Sequence, residues 1–225
     1  MILTDNQIRQ AIAAGKIVIE PFDERQIQPA SIDLRVGAEG ATTKTKQKVD
    51  IKTRGFITLE PGDFGVILIM ESIKFDNQHA GRIGLRSKFA RKGLIATTGP
   101  QIDPGFHGSL ILGLTNLTPQ NVPIAYGDDI LTLEIHRLEE PVAGTYSGPY
   151  QGRYGLGPEE LEAVAESEGM ALSEVLTILR SLTSNVGELS SNMKVISTKL
   201  ENFQWIIPVI TGVGIAIIAV IVAIK

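Results

Sequence analysis

Apolar and polar positions fall into three regimes along the chain. From Gly55 onward short apolar runs alternate with turn signals: Phe56 to Leu59, the turn Pro61-Gly62-Asp63, Phe64 to Met70, and a further segment from Ile73 to Phe75. Val66 to Ile69 is apolar on both faces and predicts a central strand. Pro119 and Pro123 mark a loop, Tyr126-Gly127-Asp128-Asp129 a turn, and Ile130, Leu131, Leu133 and Ile135 a last strand. Upstream, Thr4 and Gln7 form a capping-box pattern that opens a helix from Asp5 to Ala14, ended by Gly15. Ile17 to Glu20 reads as a strand stopped by Pro21, and Ile32, Leu34 and Val36 alternate with Asp33 and Arg35 as in a half-buried strand. Asp33 and Arg35 then share a side, free to pair or to face a ligand, and Gly40 to Lys52 reads as an exposed loop or edge hairpin. Strands at this spacing over roughly 130 residues predict an all-β barrel or jelly-roll-like body with one N-terminal helix.

The second regime is helical. After a Gly- and Tyr-rich segment from Gly144 to Gly157, suited to a flap or a linker, Pro158 opens an acidic helical piece that breaks at Gly169. From Leu172, apolar residues recur at Val175, Leu179, Leu182, Val186, Leu189, Met193, Ile196, Leu200 and Phe203, with gaps alternating three and four. That is a coiled-coil seam, a stalk of roughly 48 Å at about 1.5 Å per residue. Gly187 costs it about 1 kcal/mol per chain, and its flanking positions are mostly Ser, Thr or Asn, so it calls for oligomeric partners. The third regime, Ile206 to Ile224, carries no charge and is long enough to span a hydrocarbon core of about 30 Å. Trp205 and Lys225 flank it as interfacial residues, and Gly212 with Ala216 offers a small-residue face for helix association. The expected organisation is a body over 1–157, an acidic helical linker over 158–170, a stalk over 171–204 and a transmembrane anchor over 205–225.

Composition narrows the chemistry. The 225 residues include no cysteine, which excludes disulfides, thiolate chemistry and a His/Cys zinc centre, and the three histidines (His79, His107, His136) are scattered. A formal charge of −4 gives no reason to expect a nucleic-acid partner. The N-terminus has no basic region followed by an apolar run, so the β body is expected in the cytoplasm, held to the membrane by residues 206–224.

Candidate chemistry concentrates in Leu85 to Asn116. Arg86, Lys88 and Arg91 surround Ser87, a grouping suited to phosphate oxygens because guanidinium forks make paired, charge-assisted bonds. Asp103 follows on the compact Asp103-Pro104-Gly105-Phe106 turn, placed to position a sugar hydroxyl or a water.

Three segments carry a resemblance: Gln28-Pro-Ala-Ser-Ile-Asp-Leu-Arg-Val-Gly37, Leu85-Arg-Ser-Lys-Phe-Ala-Arg-Lys-Gly-Leu94 and Gln101-Ile-Asp-Pro-Gly-Phe-His-Gly108. Together, in order over about Met1 to Gly157, they resemble the dCTP deaminase branch of the dCTP deaminase/dUTPase superfamily. The resemblance implies a distorted β-barrel forming homotrimers, active sites at subunit boundaries, a pyrimidine deoxynucleoside triphosphate as ligand, and Mg²⁺ riding on the triphosphate. It also implies a three-stranded stalk. By position, Arg86, Ser87 and Arg91 resemble triphosphate and active-site residues, Asp103 the aspartate near the deoxyribose, and Tyr150 and Gln151 part of the closing tail.

The departures are specific. The glutamate that activates water in the deaminases is replaced by Gly113, the second serine of Arg-Ser-Ser by Lys88, the tail lysine by Pro149 and a later glutamine by Arg153. A general base is worth about 10²- to 10⁴-fold in rate, so deamination should be weak unless another carboxylate substitutes; Glu134 is the nearest glutamate further along the chain. The dUTPase branch lacks that glutamate and uses the aspartate equivalent to Asp103 to order its water, but the Gly152-Arg-Tyr-Gly-Leu-Gly157 stretch is a poor echo of its tail. Three functions follow as expectations: a dCTP deaminase, a dUTPase-like phosphohydrolase working from Asp103, or a catalytically inactive, membrane-tethered nucleotide sensor or scaffold.

Overall fold

In a computed structural model of the chain, described for residues 1–167 and 172–224, two compact units are distinguished, Met1–Ser173 and Glu174–Lys225. The predicted break at Gly169 and the flanking Lys225 lie outside the described residues.

The first unit runs α1 (Asp5–Ala13), β1 (Ile17–Glu20), a 3-10 turn (Glu24–Gln26), β2 (Ile27–Gln28), β3 (Ser31–Thr42), β4 (Val49–Asp50), α2 (Ile51–Arg54), β5 (Phe56–Leu59), β6 (Phe64–Phe75), β7 (His79–Leu85), α3 (Ser87–Ala90), β8 (Leu94–Ala96), β9 (Gln101–Ile102), β10 (His107–Asn116), β11 (Val122–Ala125), β12 (Asp129–Arg137) and α4 (Pro158–Glu166). It is mainly β. Ten strands form one sheet that curls into a half-barrel in the order β8-β10-β6-β3-β12-β7-β9, with β1 added on β6 and β2 and β4 on β3; β5 and β11 pair separately. Every pairing among the described residues is antiparallel; short strands such as β11 alternate buried with exposed positions, whereas β3 and β6 carry consecutive buried residues and so are covered on both faces. The core holds Leu34, Ile69, Leu112, Leu133 and Ile135 from the central strands, with Ile8 of α1 closing one side.

Several local expectations meet their physical context here. Thr4 opens α1, its backbone N–H donating to Gln7 Oε1 at 3.0 Å, and the helix ends one residue before the expected Ala14. The two segments expected at 64–70 and 73–75 are one strand, β6, because Glu71, buried to 2%, is satisfied within it by Arg35. Gly40 to Lys52 is less exposed than its composition predicts: β3 continues to Thr42, and Ile51 is fully buried at the start of α2. Pro123, expected in a loop, sits in β11; that strand pairs only with β5, an edge position where a missing N–H is tolerated. Asp33 and Arg35 do not pair with each other. Asp33 is buried at 2% exposure against Arg86, and Arg35 Nε donates to Glu71 Oε1 at 2.6 Å.

From Glu174 on, the described part of the second unit is formed by α5, which runs Leu172–Ala223 without a break and contains Pro208. Of the seam residues whose side chains are described, Leu179, Leu182, Val186, Leu189, Met193, Ile196 and Leu200 are all exposed in the single chain. Further along, the helix carries a stretch long and apolar enough, by length and composition, to cross a membrane.

Candidate functional site

A cavity of about 440 Å³ opens where β9, β10 and the β8–β9 loop meet the Gly/Tyr-rich tail. Asp103, Phe106, Ser109, Ile111 and Gly113 contribute one wall, Thr97, Thr98 and Gln101 a second, and Tyr146, Tyr150, Arg153 and Glu160 close it from the tail and α4. Apolar side chains predominate, with a few convergent polar groups, the usual make-up of a small-molecule pocket.

Local chemistry fixes each wall. The Asp103-Pro104-Gly105-Phe106 turn is closed by Phe106 N–H donating to the Asp103 carbonyl at 3.2 Å, and Gln101 Nε2 donates to Asp103 Oδ1 at 2.7 Å, which orients the carboxylate. Gly113 lies mid-strand in β10, opposite Val66 of β6, and its N–H donates to Thr98 Oγ1 at 2.6 Å. A Cβ on residue 113 would lie 2.4 Å from Thr97 Oγ1 and 3.3 Å from the Phe64 ring. Thr97 thus fills space that a side chain at 113 would need.

The tail is stapled over this cavity. Gln151 accepts from His107 N–H at 3.0 Å and donates to the Gly105 carbonyl at 2.8 Å. Gly152 N–H donates to the His107 carbonyl and Ser109 N–H to the Arg153 carbonyl, both at 2.8 Å. That approach requires glycine at 108, where φ is +142° and an added Cβ would come within 2.7 Å of the Arg153 carbonyl. Beyond it, Arg153 Nη1 donates to Glu160 Oε1 at 2.9 Å and Nη2 to Glu159 Oε2 at 3.1 Å, with the guanidinium 5.2 Å from the Tyr150 ring centroid. Glu159, bonded to that guanidinium, holds it above its usual pKa. Glu160 Oε2 also accepts from Gly157 N–H at 2.8 Å, capping the first turn of α4. The helix is seated by Val164, which is fully buried against Ala41, Val66, Leu68 and Leu156.

The residues expected from sequence divide into two groups. Asp103, Gly113 and Tyr150 line the cavity, whereas Gln151 stands behind it as a staple. Arg86, Ser87, Lys88 and Arg91 do not line it in the single chain. Arg86 occupies the N-cap position of α3 without a side-chain capping bond and is ion-paired with the buried Asp33, which also accepts from Thr132 Oγ1 at 3.1 Å. Lys88 Nζ contacts Asp128 Oδ1 at 3.2 Å and lies 5.1 Å from the Phe89 ring centroid; Ser87 and Arg91 are exposed. Glu134 is on β12 beside His136, at 3.6 Å, outside the cavity. Most of the lining had no part in the expected site; among its polar members these include Thr97 and Thr98, with no motif to mark them, and Glu160, whose only sequence signal is its place three residues after Gly157.

Comparison with known proteins gives a consistent result. Residues 2–138 match the family described as dCTP deaminase-like. The dCTP deaminase of Thermococcus kodakarensis is 38% identical over 152 residues, covering 68% of this chain and 93% of its own length. The dUMP-forming dCTP deaminase of Aquifex aeolicus is 30% identical over 171 residues, covering 72% and 95%. Among solved structures, 2'-deoxycytidine 5'-triphosphate deaminase from Agrobacterium tumefaciens superimposes with a TM-score of 0.53 at 22% identity, over 61% of this chain and 49% of that one, a likeness of fold.

Proposed function

The chain belongs to the dCTP deaminase-like family, and from that premise we propose that it binds pyrimidine deoxynucleoside triphosphates in the cavity beside Asp103 without efficiently deaminating them. The observation that carries this reading is Gly113. At the position that resemblance gives to the water-activating glutamate there is no carboxylate, and Thr97 Oγ1 occupies the adjoining space. The pocket can therefore hold a ligand while lacking the group that would take a proton from water attacking the base at C4.

Asp103, oriented by Gln101, positions the deoxyribose, and Tyr150 covers the ligand from the tail. Arg86, Ser87, Lys88 and Arg91 supply the phosphate contacts from a neighbouring copy, which accounts for their absence from the cavity of a single chain. That arrangement calls for a homotrimer, and the exposed seam of α5 provides a second surface on which copies associate. Mg²⁺ enters as part of the nucleotide, held by phosphate oxygens and water as that hard ion prefers. The apolar stretch of α5, residues 206–224, is the membrane anchor, with the β body in the cytoplasm. The function proposed is a tethered nucleotide sensor.

The test is to incubate the full-length protein, in detergent micelles, with dCTP or dUTP and Mg²⁺, measuring binding, ammonia and pyrophosphate together. The expected result is binding of a pyrimidine triphosphate with neither product at enzymatic rates. Ammonia from dCTP would restore the deaminase reading, and pyrophosphate without ammonia would favour a dUTPase-like hydrolase working from Asp103. Absence of binding to any pyrimidine triphosphate would overturn the shared premise.

A further inference from the structure

Among the described residues, Arg153 is the one cation that lines the cavity, and its charge is already taken: Glu160 holds one arm of the guanidinium at 2.9 Å and Glu159 the other at 3.1 Å. We propose that Arg153 is a phosphate-binding residue of this pocket and that the first turn of α4 carries an acidic plug that the nucleotide must displace from it. The proposal rests on the nucleotide-binding reading above.

The arrangement fits competition better than simple bracing. A guanidinium donates to carboxylate and to phosphate oxygens alike, and here Nη1 goes to Glu160 and Nη2 to Glu159, so an arriving phosphate and the two carboxylates are rivals for the same donors. Glu160 is 11% exposed and lines the cavity, so it occupies the place from which Arg153 would meet a ligand; Glu159, 68% exposed, contributes from the rim. Glu160 also caps Gly157 N–H, so removing its carboxylate from Arg153 loosens the start of α4. Pocket occupancy and the seating of α4 on β6 are thereby linked through one side chain, and what binds one disfavours the other.

Glu160→Gln separates the charge from the fold, because glutamine still accepts from Gly157 N–H in the capping position. With the full-length protein in micelles, binding of dCTP, dUTP and uncharged deoxycytidine is measured for the wild type, Glu160→Gln and Arg153→Gln, alongside hydrogen exchange over 158–166. Glu160→Gln is expected to tighten triphosphate binding by roughly 3- to 10-fold and leave deoxycytidine unchanged, on the scale of a partly exposed ion pair. Arg153→Gln should weaken triphosphate binding, and nucleotide should speed exchange in α4 of the wild type. Triphosphate binding that is unaffected or weakened by Glu160→Gln, or unchanged protection of α4, would overturn the plug while leaving the nucleotide reading intact. No binding by any of the three proteins would overturn both.

Discussion

Placing a carboxylate at position 113 is the most direct probe of the proposal that this pocket binds rather than reacts. A glutamate there would supply the base, worth about 10²- to 10⁴-fold, or about 2.7 to 5.4 kcal/mol of barrier at 1.36 kcal/mol per tenfold. The opposing term is steric. Its Cβ would meet Thr97 Oγ1 at 2.4 Å, and turning Thr97 away costs about 0.5 to 1.5 kcal/mol if the side chain leaves its rotamer well. The base outweighs the clash, so Gly113→Glu alone should release ammonia from dCTP faster than the wild type. Adding Thr97→Ala removes the obstructing hydroxyl and should raise the rate by a further factor of roughly 2 to 10, the rotamer cost recovered. The assay is ammonia release at saturating dCTP and Mg²⁺, with dCTP binding measured on the same samples. If the double variant binds dCTP and releases no more ammonia than the wild type, position 113 is not where the base acts and the reasoning fails.

Three further outcomes follow from contacts away from that position. Arg86→Ala leaves Asp33 buried with only Thr132 as side-chain partner, so the body should lose about 3 kcal/mol, read as a lowered urea midpoint; an unchanged midpoint would show that the pair adds nothing to the fold. Val164→Asp puts a charge where α4 meets Ala41 and Leu68, and should make 144–166 a site of rapid limited proteolysis while 1–137 stays protected; equal resistance would mean that the helix is not held there. Burial raises the pKa of Asp76, but bonds from His79 and from the Gln78 and His79 N–H groups outweigh it and leave the carboxyl lower than usual. Its stabilising contribution is therefore complete above the unfolded carboxylate pKa, about 3.9, and lost as pH falls through the lower folded value. Asp76→Asn should flatten the dependence of melting temperature on pH below about 4, and an unaltered slope would refute the assignment.

What the sequence made legible is what local rules decide. The Thr4-Gln7 pattern places α1, the unbroken apolar run marks β6 as central, and the Asp-Pro-Gly turn puts Asp103 at a cavity wall. Illegible features depend on partners far along the chain. Glu71 and Ser72 interrupt an apolar pattern, yet the strand continues because Arg35, 36 residues away, satisfies the carboxylate. Asp33 reads as an outward residue by alternation, and its burial depends on Arg86 and on Thr132, far along the chain. The acidic composition of α4 suggests a solvated helix; its docking rests on Val164 and a few flanking contacts, too small a face to stand out by period. That Gly113 lies at the cavity wall follows from its strand, but the hydroxyl that fills its neighbourhood was not legible, since Thr97 lies in a different strand connection.

The pairing of Arg86 with Asp33 bears on how the chain can be read across its relatives. An arginine that neutralises a buried carboxylate is needed for folding whether or not a nucleotide ever binds, so its presence by itself testifies to the body and not to the ligand. Ser87 and Arg91 carry no such obligation: both side chains are exposed and, among the described residues, neither forms a side-chain hydrogen bond or ion pair. In a lineage that had abandoned nucleotides, those two positions would drift first while Arg86 stood still.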